Sequence, residues 1–326
     1  MKRVALSGLA LLAATVALFG DNSTAGQGQV LFDRANAISC LRTAQFSPYE
    51  LQIQFRLFPP NQMPVSGTYV EIWASREQWR KKITVGDFDE VIVRNKTGEW
   101  RAESGGVEAP EVREFRDAVD QVSNLRLEAG EEFQDVLQGR AEKQECVEIR
   151  ALGPLKRGYC FDSSTAQLQS INWLGQRTSF ADYASFGPVS FPRHMKAMGR
   201  SGPLWDAEVQ NVNHLSSLEQ SWFEKPSGSE PYVTCTNVRP PKAVKTQDAW
   251  YDPELRRQHV QGSVMWNVEV GADGKTRHLQ LVHSDNPAFA SASYNAIRTW
   301  RFRPAMCGDV PVSVIVHIQT NFRLYR

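Results

Sequence analysis

The sequence predicts an α+β protein in two units. The first is a curved antiparallel β-sheet, a half-barrel with covering helices, and the second is a small C-terminal α+β domain. Three observations predict this. Long stretches of the first two hundred residues alternate apolar and polar side chains with period two. One stretch, 109–138, switches to helical spacing. A Pro/Ser/Gly/Lys-rich segment, 224–248, then separates off a final part with the order helix, strand, strand, helix, strand. The divisions are 1–25 as a leader, 26–223 as the β-rich domain, 224–248 as a linker and 249–326 as the small domain.

The leader has the layout of a secretory signal peptide. Lys2 and Arg3 precede an apolar run from Val4 to Phe19, and small residues follow, with cleavage expected after Gly20 or Ala25. The run is short for a spanning helix of roughly 20 residues; an uncleaved N-terminal anchor is the alternative. No cysteine stands near the cleavage region, which argues against a lipoprotein anchor. The expected location is therefore the periplasm, or, with the anchor retained, the inner membrane facing the periplasm.

In the β-rich unit, Tyr49, Leu51, Ile53, Phe55 and Leu57 alternate with Glu50, Gln52, Gln54 and Arg56, which is a strand with one apolar face. Residues 67–75, 79–85 and 89–94 continue the pattern, with a turn at Asn95–Gly98. Pro110 suits a helix start, and Val112, Phe115, Val119, Val122 and Leu125 follow helical spacing. Strands resume near 166–174, 177–185 and 189–197.

The small unit opens with Asp252 and Pro253 as cap and first residue of a short helix over 252–258. Val264, Trp266, Val268 and Val270 form one face of a strand. Gly271–Gly274 is hairpin-turn chemistry, and Leu279 and Leu281 are placed on one face of the next strand. Asn286 and Pro287 open a helix whose buried stripe is Phe289, Ala292, Ala296, Ile297 and Trp300. A single strand over 310–324 closes the chain, with Ser313, His317, Gln319, Asn321 and Arg323 on its polar face.

Composition and motifs exclude several classes. Lys plus Arg is 37 and Asp plus Glu is 36, so there is no basic excess to support nucleic-acid binding. Charged residues make up 22%, an ordinary globular balance rather than a disordered one. There is no Gly-x-Ser-x-Gly, His-Glu-x-x-His, Gly-x-x-x-x-Gly-Lys or Gly-x-Gly-x-x-Gly. His278 and His283 fall on opposite strand faces, so they do not share a metal site. The expectation is a protein that is not an enzyme and needs no cofactor or metal.

Export makes the five cysteines readable as disulfides. Cys146 and Cys160 bracket a strand-turn-strand pattern, so a bridge between them is expected. Cys235 and Cys307 would then pair, leaving Cys40 over, although sequence leaves the connectivity open. No Cys-x-x-Cys or Cys-x-x-His spacing supports zinc.

Four strings in the small unit recur in one known family: Tyr251-Asp252-Pro253-Glu254-Leu255, Gly262-Ser263-Val264, Asp273-Gly274-Lys275 and Trp300-Arg301-Phe302-Arg303-Pro304-Ala305. In order and spacing this part resembles the TonB C-terminal domain family. One departure is that Asp252 stands between the Tyr and Pro that the family usually joins. The resemblance implies a partner that adds a strand to an open sheet edge, such as an outer-membrane transporter or another envelope protein. It makes Tyr251, Pro253, Arg301, Arg303, His317, Gln319 and Asn321 the partner-binding candidates, with the final strand as the candidate edge.

The β-rich unit, over about 45–200, carries Gly67-Thr68-Tyr69-x-Glu71-x-Trp73, Gln78-Trp79-Arg80 and the stretch from Asp182-Tyr183 to Phe191-Pro192. It resembles the LolA-like lipoprotein-carrier superfamily. That resemblance implies an apolar cavity for a lipid or lipidated ligand, with Phe55, Trp73, Trp79 and Trp100 as wall candidates. Ordinary core packing is the alternative reading of the same four aromatics. Together the two resemblances imply an exported binding or adaptor protein. The alternatives are a membrane-anchored energy transducer and a structural two-domain protein with no ligand.

Overall fold

The structure is a computed structural model that describes residues 24–43, 46–59, 62–106, 108–127, 131–138, 143–150, 156–173, 175–199, 202–232 and 238–324. All of the expected leader except Thr24 and Ala25 lies outside these residues. Helix α1 (Thr24–Ser39) begins there. Among the described residues no helix is long and apolar enough to cross a membrane.

One open sheet dominates the first unit. Its strands are β1 (Tyr49–Leu57), β2 (Val65–Ser75), β3 (Gln78–Val85), β4 (Phe88–Asn95), β5 (Gly98–Ser104), β6 (Glu132–Gln138), β7 (Gln144–Arg150), β8 (Lys156–Asp162), β9 (Leu168–Trp173), β10 (Gln176–Phe186), β11 (Val189–Gly199), β12 (Gly202–His214) and the short β13 (Glu230–Pro231). The thirteen strands lie in the order β13-β5-β4-β3-β2-β1-β12-β11-β10-β9-β8-β7-β6. The sheet is therefore two antiparallel meanders joined along β1 and β12, where Tyr49 stands opposite His214 and Leu57 opposite Trp205.

The alternation read in β1 holds. Tyr49, Leu51, Ile53, Phe55 and Leu57 are all buried. Phe55 meets α2 (Pro110–Ser123), where Phe115 stacks on it with ring centroids 4.3 Å apart and meets Tyr69 and Trp205 edge-on. On the other half of the sheet, Phe32 of α1 fits between Phe133, Tyr159 and Phe161. Gly28 permits that approach, because a Cβ there would lie 2.4 Å from the Phe133 ring.

The helical stretch read over 109–138 is corrected. The helix stops at Ser123, where the Asn124 amide donates to the Asp120 carbonyl, and 132–138 is strand β6. β6 pairs with β7 along its length, and Phe133 supplies the apolar contact to Phe32. Tertiary packing there overrides the local helical spacing.

Segment 224–248 carries strands of its own. β13 extends the large sheet beside β5, with Glu230 opposite Arg101. β14 (Val238–Arg239) pairs with β19 (Ala305–Cys307), and β15 (Lys242–Lys245) pairs with β18 (Arg301–Arg303).

The small unit follows the expected order. In α3 (Pro253–Arg257) the Asp252 side chain accepts from the Glu254 amide. In α4 (Pro287–Ile297) Asn286 caps in the same way. β16 (Gly262–Val270) is central, between β17 (Thr276–Ser284) and β21 (Val314–Phe322). Val264, Trp266, Val268, Phe289, Ile297, Ile318 and Phe322 form its core.

Two details differ from expectation. The single strand over 310–324 is broken at Ser313 into β20 (Val310–Val312), which pairs with β19, and β21, which pairs with β16. Leu281 is 46% exposed while Val282 is buried, because the β16–β17 register shifts twice, between Met265 and Trp266 and between Asn267 and Glu269.

Candidate partner-binding cleft

A cleft of about 1300 Å³ lies between the two units. One wall comes from β2–β5 and α2 of the large unit. The other is the run Val310–Ile315, which covers β20 and the start of β21.

The large-unit wall is charged, and its charges are ordered. Glu71 is fully buried on β2 and accepts hydrogen bonds from the hydroxyls of Tyr49 and Tyr69 and from Arg42. Arg42 and Lys81 both donate to Asp120 of α2. Burial pushes the Asp120 carboxyl up, but Lys81 and Arg42 outweigh it and hold the group well below the usual carboxylate range. Burial, then the Glu71 charge, push both tyrosines well above their ordinary value, so they stay neutral donors. Arg42 also lies over Trp73, 4.4 Å from the ring centroid, and Trp73 stacks on Trp79 with centroids 6.0 Å apart.

A second network continues along α2. Arg116 pairs with Glu90 and with Glu108, the latter at 2.9 Å. Arg101 pairs with Glu90, Glu103 and Glu108. Arg113 reaches Glu108 at 2.9 Å and, across the units, Glu269 of β16 at 3.5 Å. Burial raises the Glu108 pKa, but Arg116 and Arg113 bring it below the ordinary value. Two further cations at the cleft, Arg76 in the β2–β3 turn and Arg126 beyond α2, are exposed and make no ion pair among the described residues.

The units also touch beside the cleft. The Trp173 ring of β9 meets His317 of β21 edge-on at 5.6 Å, and His317 Nδ1 lies 2.7 Å from Asn267 Oδ1. Burial, then the nearby Arg157, pull the His317 pKa below its ordinary value. Glu114 of α2 is hydrogen-bonded to Gln280 of β17 and Gln176 of β10, and burial pushes its pKa up to about 7.

The seven partner candidates do not form one site. Tyr251 is half-buried, packs edge-on against Phe289 and Phe322, and donates its hydroxyl hydrogen to the Val260 carbonyl. It therefore pins α3 to the core. Pro253 is the exposed first residue of α3. Arg301 and Arg303 are exposed on β18, but the edge they flank is already paired with β15 of the same chain. His317, Gln319 and Asn321 share β21; His317 faces the large unit, whereas Gln319 and Asn321 are exposed and joined by a 3.0 Å hydrogen bond. β21 pairs with β16 and, among the described residues, with no strand on its other side.

The aromatic candidates divide as well. Phe55 is core against Phe115. Trp73 and Trp79 border the cleft. Trp100 lies apart, with its Nε1 donating to Thr97 Oγ1 and Lys225 over its ring at 3.8 Å.

The Cys146–Cys160 disulfide is present, with the two residues directly opposite on β7 and β8. Cys307 is disulfide-bonded, and Cys235 lies outside the described residues. Cys40 is free and buried.

Two of the family strings, Asp273-Gly274-Lys275 and Trp300 to Ala305, meet in space. The Phe302 amide donates to the Gly274 carbonyl, and the Ser263 amide donates to Asp285 beside Gly262. Residues 249–324 match the family described as the Gram-negative bacterial TonB protein C-terminal. Over these residues the chain is similar to TonB C-terminal domains. Protein TonB of Vibrio cholerae serotype O1 is 31% identical over 75 residues, which is 23% of this chain. The match spans only 31% of that protein's length. The solution structure of the Pseudomonas aeruginosa TonB C-terminal domain is 20% identical, covers 26% of this chain and 88% of its own, and has a TM-score of 0.24. The large unit is similar to a LolA superfamily protein of Nitrosomonas europaea, at 11% identity and a TM-score of 0.38, covering 60% of this chain and 97% of that one.

The arginines of the cleft wall were not read from the sequence. Their only signal is the polar stripe of α2, where Arg113, Arg116, Asp117 and Asp120 recur at three- and four-residue spacing.

Proposed function

We propose that this chain is a non-enzymatic binding protein of the cell envelope, exported to the periplasm. In this reading its TonB-like domain takes an extended segment of a membrane partner onto the free side of β21. The observation that carries the reading is that β21 is hydrogen-bonded on one side only among the described residues, with Gln319 and Asn321 exposed along it. An edge of this kind offers unused main-chain donors and acceptors, and main-chain pairing supplies much of the affinity in strand addition. The large unit then serves as a fixed body beside the edge, held there by Arg113–Glu269 and Trp173–His317.

Hydrogen exchange tests the reading. A ten-residue peptide alternating Thr and Val, added to the full chain, is expected to slow exchange of β21 amides and leave β17 unchanged. Protection on β17 alone, or on neither strand, would overturn it. Of its four wall candidates, the lipid reading keeps Trp73 and Trp79 at this cleft, and Phe55 borders a separate cavity beside Ser66, Gly67 and Met195. Native mass spectrometry of protein from its own envelope fraction checks it, since a lipid-sized adduct would support a carrier role.

A further inference from the structure

We infer that the cleft between the two units recognises an extended segment that alternates acidic and apolar residues. The β20–β21 wall pairs with its main chain, and the arginine wall of the large unit reads its carboxylates. This rests on the strand-addition reading above and adds the chemistry of the segment.

Three observations carry it. The first is the position of the edge. Val310–Ile315 forms one wall of the cleft, and β20 and β21 are each paired on one side only among the described residues. A strand added along this run would enter the cleft rather than lie on the outer surface.

The second is charge. Eight Arg and Lys side chains line the cleft beside six Asp and Glu, and Glu71, Glu90, Glu103 and Glu269 also pair with these cations, so the cleft as a whole has no cationic excess. Six of the cations are committed to ion pairs. The two left uncommitted are Arg76 and Arg126, exposed at the cleft with no carboxylate partner among the described residues. A guanidinium of this kind is suited to bidentate capture of a carboxylate. The paired cations would have to break their ion pairs to meet a ligand, so the specificity falls to these two.

The third is the alternation the geometry demands. Successive side chains of an added strand point to opposite sides. Val310 and Ile315 are 49% and 40% exposed, so the β20–β21 wall offers apolar surface where the opposite wall offers cations. A segment with acidic residues on one face and apolar residues on the other satisfies both walls.

The test uses the full chain and three fluorescein-labelled ten-residue peptides, with binding read by anisotropy. One alternates Glu and Val, one alternates Gln and Val, and one is the Glu/Val peptide with proline at every second Val. The Glu/Val peptide is expected to bind at least tenfold more tightly than Gln/Val at 50 mM salt, with the advantage shrinking as salt rises. Arg76→Glu with Arg126→Glu should abolish the advantage while leaving Gln/Val binding unchanged. Equal binding of Glu/Val and Gln/Val would overturn the acidic reading and leave strand addition standing. Binding of neither would overturn both. Undiminished binding of the proline peptide would mean simple ion attraction and overturn the inference. So would displacement of the Glu/Val peptide by phosphatidylglycerol vesicles but not by phosphatidylcholine vesicles, which would assign the cations to anionic lipid.

Discussion

Gly274 and Phe302 meet backbone to backbone: the Phe302 amide donates to the Gly274 carbonyl at 2.8 Å, and a Cβ on residue 274 would lie 2.0 Å from the Phe302 carbonyl oxygen. Residue 274 also has φ +73°, a conformation that glycine adopts without penalty. Two strings that look independent in sequence, Asp-Gly and Trp-Arg-Phe-Arg, are therefore one contact. Gly274→Ala is expected to cost at least about 2 kcal/mol, from left-handed strain and the clash together. Urea unfolding of the full chain checks this. A loss under about 0.5 kcal/mol would mean that the turn relaxes away from Phe302.

Glu71 is the buried anion on which two tyrosines and Arg42 converge. Glu71→Ala would leave Arg42 short of a partner and both hydroxyls without an acceptor. The expected cost is about 3–5 kcal/mol. Glu71→Gln keeps an acceptor and should cost less. The pair of variants separates loss of charge from loss of hydrogen bonding. Equal, small effects in both would show that water replaces the carboxylate.

The Arg113–Glu269 pair joins α2 to the central strand of the TonB-like domain. Both side chains are partly shielded, so a double-mutant cycle of Arg113→Ala and Glu269→Ala should give a coupling of about 1 kcal/mol. Additive effects would mean that the two units do not dock through this pair in solution. Arg113 also holds Glu108, so only the coupling, not the single variants, reports on docking.

Two groups between the units titrate in opposite senses. Glu114 is an acid whose folded pKa is raised to about 7 by burial. The fold then holds a proton that the unfolded chain releases near pH 4.5. Its contribution is fullest below that value and is lost as pH rises through about 7. His317 is depressed by burial and by Arg157, so the fold resists a proton that the unfolded chain accepts near pH 6.5. Its contribution is full above that value and is lost as pH falls through the lowered folded value. Glu114→Gln should flatten the loss of stability between pH 5 and 7, and His317→Gln should flatten the loss on the acid side. Melting temperatures across pH 4.5 to 8 would show both. Unchanged profiles would mean that neither group is shielded as the packing implies.

The elements that could be read in advance are those whose signal is local. The β1 alternation, the Asp252 and Asn286 caps and the Cys146–Cys160 hairpin each depend on residues close in sequence. The errors came where distant partners decided the outcome. Phe133 belongs to a strand because Phe32 and β7 claim it, and Leu281 faces solvent because of bulges set against β16. Trp300, expected as core, is half-buried with its Nε1 bonded to the Gln247 carbonyl, a partner supplied by the linker. The cleft was least visible of all. Arg42, Arg76, Arg101 and Arg126 stand 25 or more residues apart, far beyond any helical or strand period, and only the fold brings them to one cleft.

The seam between β1 and β12 sets an order of assembly. Each meander is built from neighbouring hairpins and can form from short-range contacts, but β1 waits for residues 202–214 before its second side is covered. Until then Leu51, Ile53 and Phe55 lie on a strand with one bare edge, a template for pairing with another chain. The large sheet is thus closed at its middle by its last long strand, and a chain cut short before residue 202 is expected to aggregate, which light scattering of the truncated chain would check.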